Sequence, residues 1–194
     1  MKHFLKDDIK TMSDQKYISN ATEISFLGIT LDSALSWKKH TDKLMGKLCS
    51  ACYALRHIRE VVSKDTLKSV YFAHIHSLLS YGIIFRGNSA HTKKIFIIQK
   101  KSIRIITMSK LTDLCTQHFI NLEIMTMYSQ YIYSLMVHTV QNQQIYAANN
   151  DIHNYRTRYN KDHHFPIVNL KKYRDGPYYS AIKIYNYLPE YTKP

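Results

Sequence analysis

Acidic residues are scarce in this chain. Only 14 Asp and Glu stand against 27 Lys and Arg, giving a formal net charge of +13 over 194 residues. An excess of that size points to an anionic partner, either nucleic acid or an acidic membrane surface. No stretch of 18 or more apolar residues occurs, so no membrane-spanning helix is expected. The first 20 residues are charged and lack an apolar run, which argues against a signal peptide. The three cysteines are an odd number in a chain too large to need staples. A disulfide framework is therefore not expected, and the reading is intracellular, in cytoplasm or nucleus. Glycine is rare at five residues, and no Gly-rich phosphate loop is present. GxSxG, HExxH and paired glycosidase carboxylates are absent too, so no catalytic or metal-binding residue is assigned.

What is present suits a folded domain. Hydrophobic residues make up 45% and charged residues 21%, which argues against wholesale disorder. Tyrosine is abundant at 16 residues; its apolar ring and polar tip fit wet interfaces as well as cores. The positive charge is concentrated. From Lys38 to Lys110 there are 15 Lys and Arg and three acids, Asp42, Glu60 and Asp65, a net of +12. The other 121 residues carry 12 bases and 11 acids. Solubility alone needs no such asymmetry, and helices ordinarily interleave acids at i,i+4.

Hydrophobic periodicity divides the chain. Residues 1–20 carry weak periodicity and read as a poorly ordered segment. Residues 21–35 hold an alternating run, Ile24, Phe26, Ile29 and Leu31, with a bend at Gly28, which predicts a strand or short hairpin. Period 2 then gives way to 3.6. Trp37, Thr41, Leu44, Leu48, Ala51, Leu55 and Ile58 form one amphipathic stripe behind a cap at Ser33 or Ser36. Gly46 inside it suggests a close contact. Ser63 caps a second helix that Tyr81-Gly82 stops. A third runs from about His91 to Thr107, with Ile95, Ile98, Ile103 and Ile106 inward. The expected architecture is all-α: a basic bundle over 36–110 behind a small hairpin. Residues 111–194 should add two shorter helices over 111–140, a polar loop over 141–175, and a last helix near Tyr178–Tyr187.

Cys49 and Cys52 form a CxxC, but a zinc site needs about four ligands and no second pair follows. Both fall in the helical stripe, where free Cys packs well. His74 and His76 diverge on a helix, and His163-His164 read as ordinary loop residues. The run from His153 to Tyr159 mixes aromatic and basic residues. It suits either base stacking with Arg156 and Arg158 on phosphates, or a loop whose tyrosines pack on the core.

An ordered series of motifs carries a resemblance. It begins with Phe26-Leu27-Gly28-Ile29-Thr30-Leu31-Asp32, then Leu35-Ser36-Trp37 and His40. Tyr81-Gly82, Lys93-Lys94-Ile95, Gln99-Lys100-Lys101-Ser102-Ile103-Arg104 and Leu122-Glu123-Ile124 follow. His153-Asn154-Tyr155-Arg156-Thr157-Arg158 and Tyr185-Asn186-Tyr187-Leu188-Pro189 complete it. Over roughly residues 17–191 the chain resembles the palm end and thumb of non-LTR retrotransposon reverse transcriptases, insect elements of the jockey type above all. The resemblance implies that Phe26, Leu27 and Gly28 are a primer-grip remnant and that the helices after Trp37 lie along a template–primer duplex. Lys38, Lys39, Lys43, Lys47, Lys93, Lys94, Lys100, Lys101 and Arg104 would then contact phosphates of an RNA–DNA duplex or of structured RNA without reading sequence. The family holds magnesium on an aromatic-Ala-Asp-Asp turn and a further Asp. That turn is absent here, and Asp7-Asp8 follows Leu5-Lys6 rather than an aromatic-Ala pair. No cofactor is therefore expected in this chain, and no polymerase activity from it alone. Arg86 replaces a Trp usual in the family. Two other readings stand beside nucleic-acid binding: a structural or protein-interaction module, and an eroded transposon-derived reading frame without selected activity.

Overall fold

Three apolar helical stripes have to bury one another, and the computed structural model shows how they do so. It describes residues 11–13, 16–18, 21–153, 158–190 and 193. The chain opens with two antiparallel pairs, β1 (Thr11–Ser13) with β2 (Lys16–Ile18) and β3 (Glu23–Phe26) with β4 (Ile29–Asp32). The first pair falls within 1–20, where the sequence suggested no element. Helices follow: α1 (Lys38–Ile58), α2 (Lys64–Tyr71), α3 (Ser77–Ser80), α4 (Ile83–Arg86) and α5 (Thr92–Thr107). Beyond them lie α6 (Thr116–Asn121), α7 (Met127–Gln141), α8 (Asn149–Ile152), α9 (Lys171–Arg174) and α10 (Pro177–Tyr187). The fold is thus mostly helical with a short hairpin, as periodicity predicts.

A π-turn, Phe72–His76, joins α2 to α3 as one rod. Ser63 caps its start, accepting from the Thr66 amide at 3.2 Å. Gly82, at φ 63, ends it in the left-handed region. Leu48 and Leu55 of α1, Leu67, Ile75 and Leu79 of the rod, and Ile95 and Ile103 of α5 are all buried at the centre. Each such side chain contributes roughly 1.5–3 kcal/mol of transfer free energy.

One polar knot fixes how these helices meet the C-terminal half. Gln99 is fully buried on α5. Its amide nitrogen donates to the Tyr71 hydroxyl and to the Met125 carbonyl, both at 3.0 Å. Its oxygen accepts from the Met127 amide at 2.8 Å, which starts α7. With its partners satisfied, this amide costs little to bury and sets one register among α2, α5 and α7. Burial pushes the Tyr71 phenol up to about 12, so it stays a neutral hydroxyl.

The last helix is a strut rather than a tail. Ala181, Ile182 and Tyr185 are buried. Asn186 clamps the polar loop from both sides: its oxygen accepts from the His163 amide at 3.0 Å, and its nitrogen donates to the His163 carbonyl at 2.9 Å. The His163 ring lies between Tyr185 (4.1 Å) and Tyr146 (5.2 Å).

Three local expectations change. Trp37, not Ser33 or Ser36, takes the N-cap position of α1, in a left-handed conformation; the Ser36 hydroxyl still accepts from the Lys38 amide at 3.3 Å, while the Asp32 carboxylate accepts from the Ala34 and Ser36 amides. Gly46 is exposed, and a Cβ there would meet nothing within 4 Å, so it marks no close contact. Cys49 is exposed and Cys52 only half-buried, because the buried stripe of α1 centres on Leu44, Leu48 and Leu55.

Candidate nucleic-acid interface

The β3–β4 hairpin closes with two residues, Leu27 and Gly28, at φ 46 and 76. Phe26 pairs directly with Ile29 across them. Positive φ at both central positions makes a type I′ turn, whose twist matches the flanking strands. Glycine takes that conformation freely, whereas leucine is strained by about 1–3 kcal/mol. A tertiary contact holds the strained residue: the Tyr81 hydroxyl, from the end of the α2–α3 rod, donates to the Leu27 carbonyl. Gly82 beside it could take a Cβ only by crowding Ile29 at 3.0 Å. The tip projects apolar surface, with Ile24, Phe26 and Leu27 all more than half exposed.

The hairpin leans on the first half of α1. Lys43 Nζ donates to Thr30 Oγ1 at 3.1 Å, and Lys39 pairs with Glu23 at 2.7 Å. The Thr30 amide donates to His40 Nδ1 at 3.4 Å, so the ring serves as an acceptor there. Burial, then the charges of Arg86, Lys43 and Lys47, hold His40 below the usual histidine range and keep it neutral. Between hairpin and helix lies a groove of about 440 Å³. Gly28, Thr30, His40, Lys43, Lys47 and Tyr81 line it. Lys39, Lys43 and Lys47, four residues apart, form one row along this edge of α1.

Arg86 strengthens the positive field from behind. It is 1% exposed, and its Nη2 donates to the carbonyls of Leu79 (2.6 Å) and Leu78 (3.4 Å) at the end of α3. Its Nε and Nη1 have no hydrogen-bond partner among the described residues, and burial pulls the guanidinium down to about 10. It acts as a buried C-cap.

The predicted cations do not all meet here. Phe26, Leu27, Gly28, Lys39, Lys43 and Lys47 converge on the hairpin edge. Lys38 is exposed at the start of α1. Lys93, Lys94 and Lys101 are exposed on α5, and the charges of Lys101 and Arg56 reach Cys52. Lys100 and Arg104 turn toward α6, where they border a different depression. Arg158 is exposed with its guanidinium 5.0 Å over the Tyr159 ring; Arg156 lies outside the described residues. Sequence reasoning missed Tyr81 and His40 as the groove's organisers. A Tyr directly before a helix-stopping Gly was the available signal for the first.

Among the described residues no group of three His, Cys, Asp or Glu side chains is placed to hold a metal ion. No helix among them is long and apolar enough to cross a membrane. Comparison with protein families, with curated proteins and with solved structures finds no match for this chain.

Proposed function

We propose that the chain is the thumb-side part of a non-LTR-type reverse transcriptase and grips the backbone of a nucleic-acid duplex without reading its sequence. One observation carries this reading. Gly28, which lacks a Cβ, shares the walls of one groove with Lys43 and Lys47, and the exposed Phe26 and Leu27 adjoin Gly28 at the hairpin tip. Phosphates would meet the lysines, and a sugar face would meet Phe26 and Leu27. Ion pairing leaves the charge available: in Lys38–Lys110 only Lys39, Arg59 and Lys68 lie within salt-bridge distance of a carboxylate among the described residues. The ordered motif series supports the same assignment. The metal-holding carboxylates of that family have no counterpart in this sequence, so nucleotide transfer is not assigned to the chain.

The test is a fluorescence titration of a labelled RNA–DNA hybrid at several ionic strengths. Affinity should fall with salt by about 0.9 in log–log slope for each phosphate contact. Replacing Lys43 and Lys47 by Gln should reduce the slope by about 2 and weaken all sequences alike. Salt-independent binding, or a loss confined to one sequence, would overturn the reading.

A further inference from the structure

Two depressions adjoin over the turns that lead into α5 and α10. The first, about 290 Å³, is bordered by Trp37, Phe85 and Lys172. The second, about 650 Å³, is bordered by Tyr179, Tyr187, Arg174 and Lys183. Asn88 and Asp175 line both, and the Asn88 side-chain amide donates to the Asp175 carbonyl at 3.3 Å. A single polar bridge therefore divides one trough into two seats. The trough shares no lining residue with the hairpin groove.

Each seat pairs aromatic rings with cations. Leu35 and Trp37 both take positive φ, 48 and 62, which such side chains rarely adopt. The turn they make sets the Trp37 ring 6.5 Å from Phe85, with the planes 23° apart. Phe85 is 44% exposed, and in the second seat Tyr187 is 82% exposed. Lys172, Arg174 and Lys183 line the trough against one carboxylate, Asp175. All three cations are exposed, and none has a carboxylate within salt-bridge distance among the described residues. Arg174 is also fixed in place, its Nε donating to the Val168 carbonyl at 2.8 Å.

The rings decide which polyanion fits. A duplex would meet the cations, but its bases are stacked on one another and leave the rings unused. An acidic amphipathic helix needs aliphatic sockets. Among the described residues lining the trough, Leu35 and Ile184 are the only large aliphatic side chains. An unpaired strand uses both features: its bases stack on aromatic faces while its phosphates lie against the cations. We propose that this trough binds a single-stranded polynucleotide, one base at Trp37 and Phe85 and another at Tyr179 and Tyr187. The proposal uses no residue of the hairpin groove, so it and the duplex reading can fail separately.

Trp37 is the chain's sole tryptophan, so its emission reports on the trough directly. The full chain is titrated with oligouridylate or oligothymidylate of about ten nucleotides, and saturable quenching by either is expected. An abasic strand of equal length keeps the phosphates and should bind at least about tenfold more weakly, without quenching. Phe85→Leu and Tyr187→Leu, both at exposed rings, should each weaken a labelled strand by about fivefold or more in anisotropy. Both should leave hybrid-duplex affinity within about twofold. Equal binding of the abasic strand, unmoved Trp37 emission at saturation, or unchanged strand affinity in both variants would overturn the proposal. So would displacement by polyglutamate at equal charge concentration, which would give the trough to an acidic protein. A strand loss as large as the duplex loss when Lys43 and Lys47 become Gln would give the strand to the hairpin groove instead.

Discussion

Replacing Arg86 by Met tests whether a buried charge is a net burden on this fold. A base whose pKa falls from 12.5 to about 10 carries a desolvation penalty of roughly 3 kcal/mol, present in full at every pH below its folded value. Against this stand the hydrogen bonds to the Leu79 and Leu78 carbonyls, of which the short one contributes about 1.5–3 kcal/mol. Methionine keeps an unbranched apolar stem in the same space, shorter by the end of the guanidinium, and removes both terms. Arg86→Met should therefore unfold within about 1 kcal/mol of the parent chain. Arg86→Ala removes the stem as well and should cost about 2–5 kcal/mol through the cavity. Urea denaturation followed by circular dichroism gives both numbers. A second readout is independent of stability. The Arg86 charge helps to depress His40, so His40 should titrate at a higher pH in Arg86→Met, measured by NMR. Equal losses for Met and Ala, or an unmoved His40, would refute the reasoning.

Gly46→Ala should stabilise the chain by about 0.5–1 kcal/mol, since the site is helical and open; a lowered urea midpoint would contradict the open geometry. His40, His76 and His163 all have depressed pKa values, with burial the first cause. The unfolded chain therefore takes up protons first, and stability should decline as pH falls below about 6.5. Melting temperatures at pH 7.5 and 5.5 check this; equal values would show that these rings are not held neutral. Purified chain given a primed template, magnesium and labelled nucleotide should incorporate none, which gel electrophoresis detects.

Periodicity alone located α1 and α5 almost to the residue, because their stripes are long and their interiors hold no proline. Ser63 and Gly82 were legible for the same reason: capping and helix arrest depend on a few neighbouring atoms. The errors share a different cause. Gly46 and Cys49 were read by their places in a run, but a helix position becomes buried only when another element covers it. The cation row failed to remain one row for the same reason. Lys100 and Lys101 are adjacent in sequence, yet the first borders the α6 groove and the second faces solvent. Which flank meets α1 and which meets α6 depends on Ser102, Gln99 and the knot around Gln99, a property of the assembled fold.

The pairing of α1 with α5 bears on how this protein is made. Cys52 of α1 meets Ser102 of α5 at 3.2 Å across 50 positions of chain. On a ribosome, the leucine stripe of α1 must therefore wait uncovered until α5 has emerged. Closing so long a loop slows folding more than it weakens the finished fold. Nascent chains from which α5 has not yet emerged should be prone to chaperone capture, whereas once Thr107 has emerged α5 can cover that stripe.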